Sequence, residues 1–297
     1  MMPGPPLLSI DLNAGYTNRP SALRRVSLEI HHGEILGLVG ESGSGKSTIA
    51  LAVMNLLGYK GGRASGKVLF RGRNLLNEPE SRMRELRGRD IALVLQSPSG
   101  SLNPALPLRA QLSEAWRAHA RGSKAEQRAA VERAMRDVSL PNDEEFLRRY
   151  PAQISLGQAQ RVLIAMATMH SPALLVADEP TSALDVITQA EILKLIVQLN
   201  QGMGTAVLYI SHDLVSVASI CHRVAILYGG EIVECGTPDQ VLTCPSHPYT
   251  RQLVSCVPWI KAAVPPRREE ARISGPMVGA MANSLFAPAS LIPGHIQ

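Results

Sequence analysis

The segment from residue 34 to residue 57 constrains the fold most, because a strand pattern, a glycine-rich loop and a helical pattern follow one another directly. The apolar run EILGLVG leads into GESGSGKS, and IALAVMNLL then has the length and composition of a helix. Residues 40–47 match G-x-x-x-x-G-K-[ST] in the strand-to-helix context that this pattern requires. The glycines let backbone N–H groups surround phosphate oxygens, and the helix start adds positive partial charge. The sequence therefore predicts a nucleotide-phosphate site.

Strand and helix patterns alternate along most of the chain. Strand patterns cover residues 7–16, 26–30, 34–40, 66–75, 90–96, 173–178 and 206–211, and helical patterns cover 49–57, 109–122, 124–138, 157–170 and 186–200. The alternation predicts an α/β fold with a largely parallel core sheet. The Ala-, Arg- and Glu-rich stretches between about 104 and 170 predict a helical insertion. Residues from about 260 onward have weak periodicity and predict a loosely ordered tail.

Composition and spacing argue against a zinc finger, a secreted protein and a membrane-spanning chain, whereas the net charge selects no ligand class. The net charge of +5 suits phosphate ligands, anionic membranes or nucleic acid equally well. The four cysteines form no C-x-x-C pair, so zinc-finger spacing is absent. The opening MMPGPPLLSIDL has no signal-peptide pattern, and no apolar run approaches the ~20 residues that span a bilayer. The basic run RMRELRGR (82–89) reads as a solvated helix face, so we expect no nucleic-acid partner.

Two adjacent carboxylates end the apolar run LLVADEP. Asp178 and Glu179 would lie at the carboxyl end of a buried strand, where ligands of open α/β sheets bind. Asp178 is expected to serve as a Mg²⁺ partner, and Glu179 can polarise a water that attacks the γ-phosphate. Lys46 would reach the β- and γ-phosphates, and the Ser47 hydroxyl would bind Mg²⁺.

Three further side chains follow other predicted strands. Gln96 ends DIALVLQ and can orient water or touch Mg²⁺, and His212 ends AVLYISH and can hydrogen-bond the γ-phosphate. Tyr16, in a loop after the first strand, can stack on a purine. Each of these residues, taken alone, also suits an ordinary structural role.

The order Tyr16, GESGSGKST, Gln96, ISLGQAQR, LLVADEP, SALD and His212 resembles the ATP-binding subunit of an ABC transporter across residues 7–257. The resemblance implies a P-loop NTPase fold of the ABC ATPase type, with an N-terminal antiparallel β portion, a mostly parallel core sheet and a helical subdomain. It implies an ATP-binding domain at 1–258, with the helical subdomain at about 104–170, and a weakly ordered tail at 259–297. SPSGSLNP and CPSHPYTRQLVSCVP resemble importers of oligopeptides, dipeptides and nickel.

The resemblance assigns roles to named residues of this chain. Catalytic roles fall to Lys46, Gln96, Glu179 and His212, and Mg²⁺ contacts to Ser47, Gln96 and Asp178. ATP contacts fall to Tyr16, Gly40, Glu41, Ser42, Gly43, Ser44, Gly45, Lys46, Ser47, Thr48, Ser155, Gly157, Gln158 and Asp185. Asp185 would bridge across the interface between two subunits.

The stretch ISLGQ departs from the family signature Leu-Ser-Gly-Gly-Gln. Ser155, Gly157 and Gln158 match, whereas Leu156 replaces the first glycine. If residue 156 has an ordinary backbone, the leucine costs little; if it needs positive φ, the penalty is about 1–2 kcal/mol. We expect the first case. In the family, two subunits stack head to tail, so this signature would serve a partner's ATP.

The resemblance implies an ATPase subunit, with ATP and Mg²⁺, that drives import of a peptide or nickel-type solute through permease subunits. It would act peripherally at the cytoplasmic face of the membrane, with an extracytoplasmic solute-binding protein as an indirect partner. The second ATPase subunit can be a non-identical chain, which we favour, or a second copy. The alternative is an ATPase that remodels a soluble assembly such as a carbon–phosphorus lyase. No cysteine follows Cys256, so we expect no iron–sulfur cluster.

Overall fold

The protein is described by a computed structural model that covers residues 4–256 and contains ten strands and eleven α-helices within that range. The strands are β1 (Leu8–Tyr16), β2 (Arg19–Ile30), β3 (Ile35–Val39), β4 (Gly62–Phe70), β5 (Arg73–Asn74), β6 (Ile91–Val94), β7 (Leu174–Asp178), β8 (Ala206–Ser211), β9 (Arg223–Tyr228) and β10 (Glu231–Gly236). The helices are α1 (Lys46–Val53), α2 (Glu80–Leu86), α3 (Pro98–Ser101), α4 (Leu108–Arg117), α5 (Lys124–Asp137), α6 (Glu144–Leu147), α7 (Leu156–Thr168), α8 (Val186–Met203), α9 (Leu214–Ile220), α10 (Pro238–Thr243) and α11 (Pro248–Ser255). The predicted tail at 259–297 lies outside the described residues.

The N-terminal strands form an antiparallel sheet in the order β2-β1-β4-β5, which confirms the predicted antiparallel portion. The strand predicted at 66–75 is interrupted in its middle. Arg71 and Gly72 have φ values of 49° and 77°, so the chain turns there and β5 folds back on β4. Tyr16 is the last residue of β1 rather than a loop residue, and it pairs with Arg19 of β2.

The second sheet is six-stranded, in the order β10-β9-β3-β8-β7-β6, and all neighbours are parallel except β9 and β10. The mostly parallel core sheet is therefore confirmed, although β9 and β10 were not predicted from the sequence. Every residue of β3, β7 and β8 is buried, as expected of strands covered on both faces. Val39 pairs with Ser211, and Asp178 pairs with Ile210. The segments that follow these strands therefore emerge at one edge of the sheet.

Helices α4 to α7 fall within the predicted helical region at 104–170. Their apolar faces share one core through fully buried residues such as Leu112, Met135 and Val162. A separate core fills the space between the antiparallel sheet, α1 and the opposite face of the central sheet. Across residues 4–256, no helix combines the length and apolar character that a bilayer crossing requires.

Candidate functional site

The loop at residues 40–45 joins the end of β3 to α1 and closes around the Lys46 ammonium. Lys46 Nζ donates to the carbonyl oxygens of Gly40 at 2.8 Å and Glu41 at 2.9 Å. Its side chain is 5 % exposed, and this burial lowers the pKa of Lys46, although Glu179 and Asp178 act in the opposite direction. A Cβ on Gly40 would lie 2.3 Å from the Leu227 carbonyl oxygen, so only glycine fits there.

Three side chains converge on Glu179, as expected from strands that end at one edge. Gln96 Nε2 donates to Glu179 Oε2 at 3.2 Å, and His212 Nδ1 lies 3.3 Å from the same oxygen. Lys46 Nζ lies 3.9 Å from Glu179 Oε1. Gln96 follows β6 by two residues and His212 follows β8 directly. The structure therefore brings all four predicted catalytic residues together.

Glu179 adopts a backbone conformation that is rare for residues other than glycine. Its φ is 49°, while its N–H donates to the Ile210 carbonyl of the neighbouring strand at 2.9 Å. A left-handed residue of this kind costs about 1–2 kcal/mol and persists only where the surrounding structure imposes it. Such strain is concentrated at functional sites, which is consistent with the central position of Glu179.

Asp178 lies deeper than Glu179 and is 8 % exposed. Its Oδ1 atom is buried without a hydrogen-bond partner. Desolvation raises the pKa of Asp178, against the lowering effects of the Ser47 hydroxyl and Lys46. A buried carboxylate oxygen with no partner is suited to a cation, and the Ser47 hydroxyl offers a second oxygen ligand.

A cavity of about 240 Å³ opens over this loop. Its lining residues are Tyr16, Arg19, Ala22, Ser42, Gly43, Gly45, Lys46, Ser47, Thr48, Gln96 and Glu179. The Tyr16 hydroxyl lies 3.3 Å from Thr48 Oγ1, so the predicted purine contact borders the loop. Arg19 was missed by the sequence analysis, although its guanidinium donates to the Gly43 carbonyl. Arg19 pairs with Tyr16 across the β1–β2 hairpin, so a prediction of this hairpin would have placed Arg19 beside the loop.

The signature residues Ser155, Gly157 and Gln158 do not line this cavity, and neither does Asp185. Ser155 caps α7: its Oγ accepts from the Gln158 N–H at 3.2 Å, and Gln158 Oε1 accepts from the Ser155 N–H at 3.0 Å. This reciprocal capping box ties both side chains to the helix start. The signature is therefore preformed away from the chain's own phosphate loop.

Leu156 is the first residue of α7, and its φ is not among the positive values. The backbone at residue 156 is helical, which leucine adopts without strain, as we expected from the sequence. Gly157 is the more constrained position, because a Cβ on it would lie 2.6 Å from Thr188 Cγ2. Thr188 is in turn held by Asp185, whose Oδ2 accepts from the Thr188 hydroxyl at 2.7 Å. The starts of α7 and α8 thus fit closely together.

The family described as ABC transporter matches residues 23–182, a span that holds the phosphate loop, Gln96, the signature and Glu179. The chain belongs to the ABC transporter family. A second family, described as the C-terminal region of oligopeptide/dipeptide transporters, matches residues 233–284, of which 257–284 lie outside the described structure. ABC transporter ATP-binding proteins are ATPases, and the span that this family matches includes the phosphate loop beneath the cavity.

Two relatives are ATP-binding proteins of transport systems. The chain is 47 % identical over 238 residues to a probable peptide ABC transporter ATP-binding protein of Sinorhizobium fredii, with 80 % of this chain and 71 % of the relative covered. It is 46 % identical over 247 residues to the glutathione import ATP-binding protein GsiA of Salmonella choleraesuis, with 81 % of this chain covered. The chain spans only 40 % of the length of that second relative.

The fold is also similar to that of a solved ATP-binding cassette, MJ0796, in a dimeric post-hydrolysis state bound to ADP and Pi. The TM-score is 0.66 at 27 % sequence identity, and the alignment covers 78 % of this chain and 98 % of the cassette. This similarity confirms the predicted ABC ATPase fold, with its antiparallel N-terminal sheet and mixed core sheet.

Proposed function

We propose that this chain is the ATP-hydrolysing subunit that drives uptake of a peptide-like solute through partner membrane subunits. The observation that carries the proposal is the convergence of Lys46, Gln96 and His212 on Glu179 beside the phosphate loop. The peptide and glutathione importers among the relatives, together with the oligopeptide/dipeptide C-terminal match, support the class of solute. By this proposal the chain acts peripherally at the cytoplasmic face of the membrane.

By this proposal Glu179 acts as the base for the attacking water. Its Oε2 is oriented by Gln96 and His212, and the water would give its proton to this carboxylate as it attacks the γ-phosphate. Lys46 would turn from the Gly40 and Glu41 carbonyls toward the phosphate oxygens. Positioning and charge supply most of the catalysis in phosphoryl transfer. Groups that hold the water and the phosphates in place therefore fit this chemistry.

The residues beside the loop fit Mg²⁺. This ion commonly uses one or two carboxylates together with substrate phosphates rather than an all-protein cage. Asp178, with its unpartnered Oδ1, and the Ser47 hydroxyl would hold it, with Gln96 at the rim. When bound, Mg²⁺ neutralises charge on the phosphates.

The distant signature implies a second ATPase subunit. Ser155 and Gln158 lie at the exposed start of α7, outside the chain's own ATP cavity. By the head-to-tail arrangement that the resemblance implies, the capped helix start would receive the γ-phosphate of the facing subunit. Asp185 would lie at the same interface. We favour a non-identical partner, with a second copy of this chain as the other arrangement.

A groove next to Gln96 would receive a permease subunit. A cavity of about 370 Å³ between β6, α4 and α7 is lined by apolar side chains such as Leu93, Leu163 and Met166. Four arginines, Arg84, Arg89, Arg117 and Arg121, surround an adjoining cavity of about 330 Å³ that shares Ala118 and His119 with the first. This pairing of an apolar groove with a basic rim fits a cytoplasmic helix that carries carboxylates at one end.

The substitution Glu179→Gln tests the proposal. The amide keeps the size of the side chain but cannot accept the proton, so we expect ATP binding to persist while steady-state hydrolysis is lost. Hydrolysis near the wild-type rate in Glu179→Gln would contradict the assignment of the base. Light scattering of this variant with and without Mg²⁺-ATP then tests the partner. Assembly of the chain alone indicates a homodimer, whereas a persistent ATP-bound monomer indicates either a non-identical partner or a signature weakened by Leu156, which Leu156→Gly distinguishes.

Co-purification tests whether the partners of the ATPase are membrane proteins or soluble enzyme subunits. With the affinity-tagged chain expressed from its native locus, we expect membrane subunits to be recovered after detergent extraction. Recovery with soluble enzyme subunits and no membrane protein would contradict the import proposal and favour remodelling of a soluble assembly.

A further inference from the structure

Helix α11, the last helix among the described residues, contacts the phosphate loop through one side chain. The Tyr249 hydroxyl accepts a hydrogen bond from the backbone N–H of Glu41 at 3.1 Å, across 208 positions of the sequence. Tyr249 is 6 % exposed, and burial raises the pKa of its phenol. Phenols are protonated at neutral pH, and a raised pKa keeps Tyr249 so.

Several contacts fix the place of Tyr249. Its ring stacks on Tyr228 with the centroids 4.2 Å apart. His247 caps α11 by accepting the Tyr249 N–H on Nδ1 at 3.2 Å. The Glu234 carboxylate accepts from the N–H groups of Ser246 at 2.8 Å and His247 at 3.1 Å. The segment that carries Tyr249 is therefore attached to both β9 and β10, which limits the movement of the hydroxyl.

The phosphate loop is contacted from two sides. On the outer side, the Leu227 carbonyl packs against Gly40, and Tyr249 accepts from the Glu41 N–H. On the inner side, Lys46 Nζ donates to the carbonyls of Gly40 and Glu41. Lys46 has to leave these carbonyls to reach bound phosphates, so the inner contacts weaken when nucleotide enters. The outer contact from Tyr249 uses the Glu41 N–H and involves neither Lys46 nor the carbonyls that Lys46 leaves.

We propose that Tyr249 is a positioning residue for the phosphate loop. Its hydroxyl fixes the peptide group of Glu41, so the N–H groups farther along the loop stay directed at the phosphates while Lys46 changes partners. The proposal depends on the proposed function only in that the loop binds ATP. It gives the HPYT segment, at residues 247–250, a part in nucleotide binding that is exerted through the phosphate loop.

The substitution Tyr249→Phe removes the hydroxyl and keeps the ring on Tyr228. The matched control is Tyr228→Phe, because the Tyr228 hydroxyl has no hydrogen-bond partner among the described residues and its side chain is 46 % exposed. We expect calorimetry on the full chain to show a Kd for Mg²⁺-ATP that is about two- to tenfold higher in Tyr249→Phe, as for the loss of one hydrogen bond. The Kd of Tyr228→Phe should equal that of wild type.

The outcomes are separable. An unchanged Kd in Tyr249→Phe overturns the inference, and so does a lower melting temperature with an unchanged Kd, since a purely structural contact gives that result. Failure of the wild-type chain to bind ATP would instead contradict the proposed function. A second measurement needs no variant: hydrogen exchange at the Glu41 amide should be slow in the nucleotide-free wild-type protein. Exchange as fast as in an unprotected loop overturns the inference.

Discussion

The contact between Gly157 and Thr188 leads to a quantitative prediction for Gly157→Ala. The new methyl group would lie 2.6 Å from Thr188 Cγ2, whereas ordinary contacts begin near 3.4 Å. Thr188 cannot easily turn away, because its χ1 is stiff and its hydroxyl donates to Asp185 at 2.7 Å. Overpacking of this kind costs about 1–3 kcal/mol, while replacing a helical glycine recovers up to about 1 kcal/mol. We therefore expect a net loss of up to about 2 kcal/mol.

A double-mutant cycle isolates this effect. Thr188→Ser removes Cγ2 and keeps the hydroxyl that donates to Asp185, so Gly157→Ala should be neutral or stabilising in that background. The coupling free energy should be about 1–3 kcal/mol. Thermal unfolding gives the values, since 1 kcal/mol corresponds to about 2–4 °C in a domain of this size. Equal effects of Gly157→Ala in both backgrounds would refute the close-packing argument.

Two further predictions concern the same pair of helix starts. Leu156→Gly restores the family signature. It should lower the melting temperature by about 1–4 °C because glycine weakens a helix, and it should not improve ATP-driven association. Association that appears only in this variant would contradict our conclusion that Leu156 is tolerated. Two hydrogen bonds from Thr188, chiefly from its backbone N–H and also from its hydroxyl, hold the pKa of Asp185 below its usual range. A depressed folded pKa gives stability that is present above the unfolded pKa of about 3.9 and is lost as pH falls through the folded pKa. Asp185→Asn caps without titrating, so its melting temperature should fall less between pH 7 and pH 3, and an equal fall in both proteins would argue against the cap.

The local parts of this protein were predictable from sequence, and the long-range parts were not. The strand-loop-helix pattern around Lys46 fixes its own geometry, and the rule that parallel strands end at one edge placed Gln96, Glu179 and His212 together. The strands β9 and β10 were missed although RVAILY and EIVECG flank a Gly-Gly pair, which is a hairpin signal that the sequence analysis did not use. The helix before them has only seven residues, so no βαβ pattern marked them either.

Three residues show which features of the site could not be inferred from the sequence. Tyr249 bonds to Glu41 over 208 positions, and no spacing rule relates them. The ambiguity at Leu156 depended on one backbone angle, which a sequence does not specify. Arg19 is an intermediate case, because the hairpin that pairs it with Tyr16 was itself only partly predicted.

The left-handed backbone at Glu179 has a consequence for protein engineering. Glycine and asparagine adopt that conformation more readily than glutamate, so either replacement would relax the chain and also remove a negative charge beside Asp178. A directed-evolution screen that rewards heat resistance alone should therefore enrich substitutions at position 179 that abolish turnover. By the proposed role of Glu179 as the base, the side chain that hydrolysis requires is also one that strains the backbone at this position.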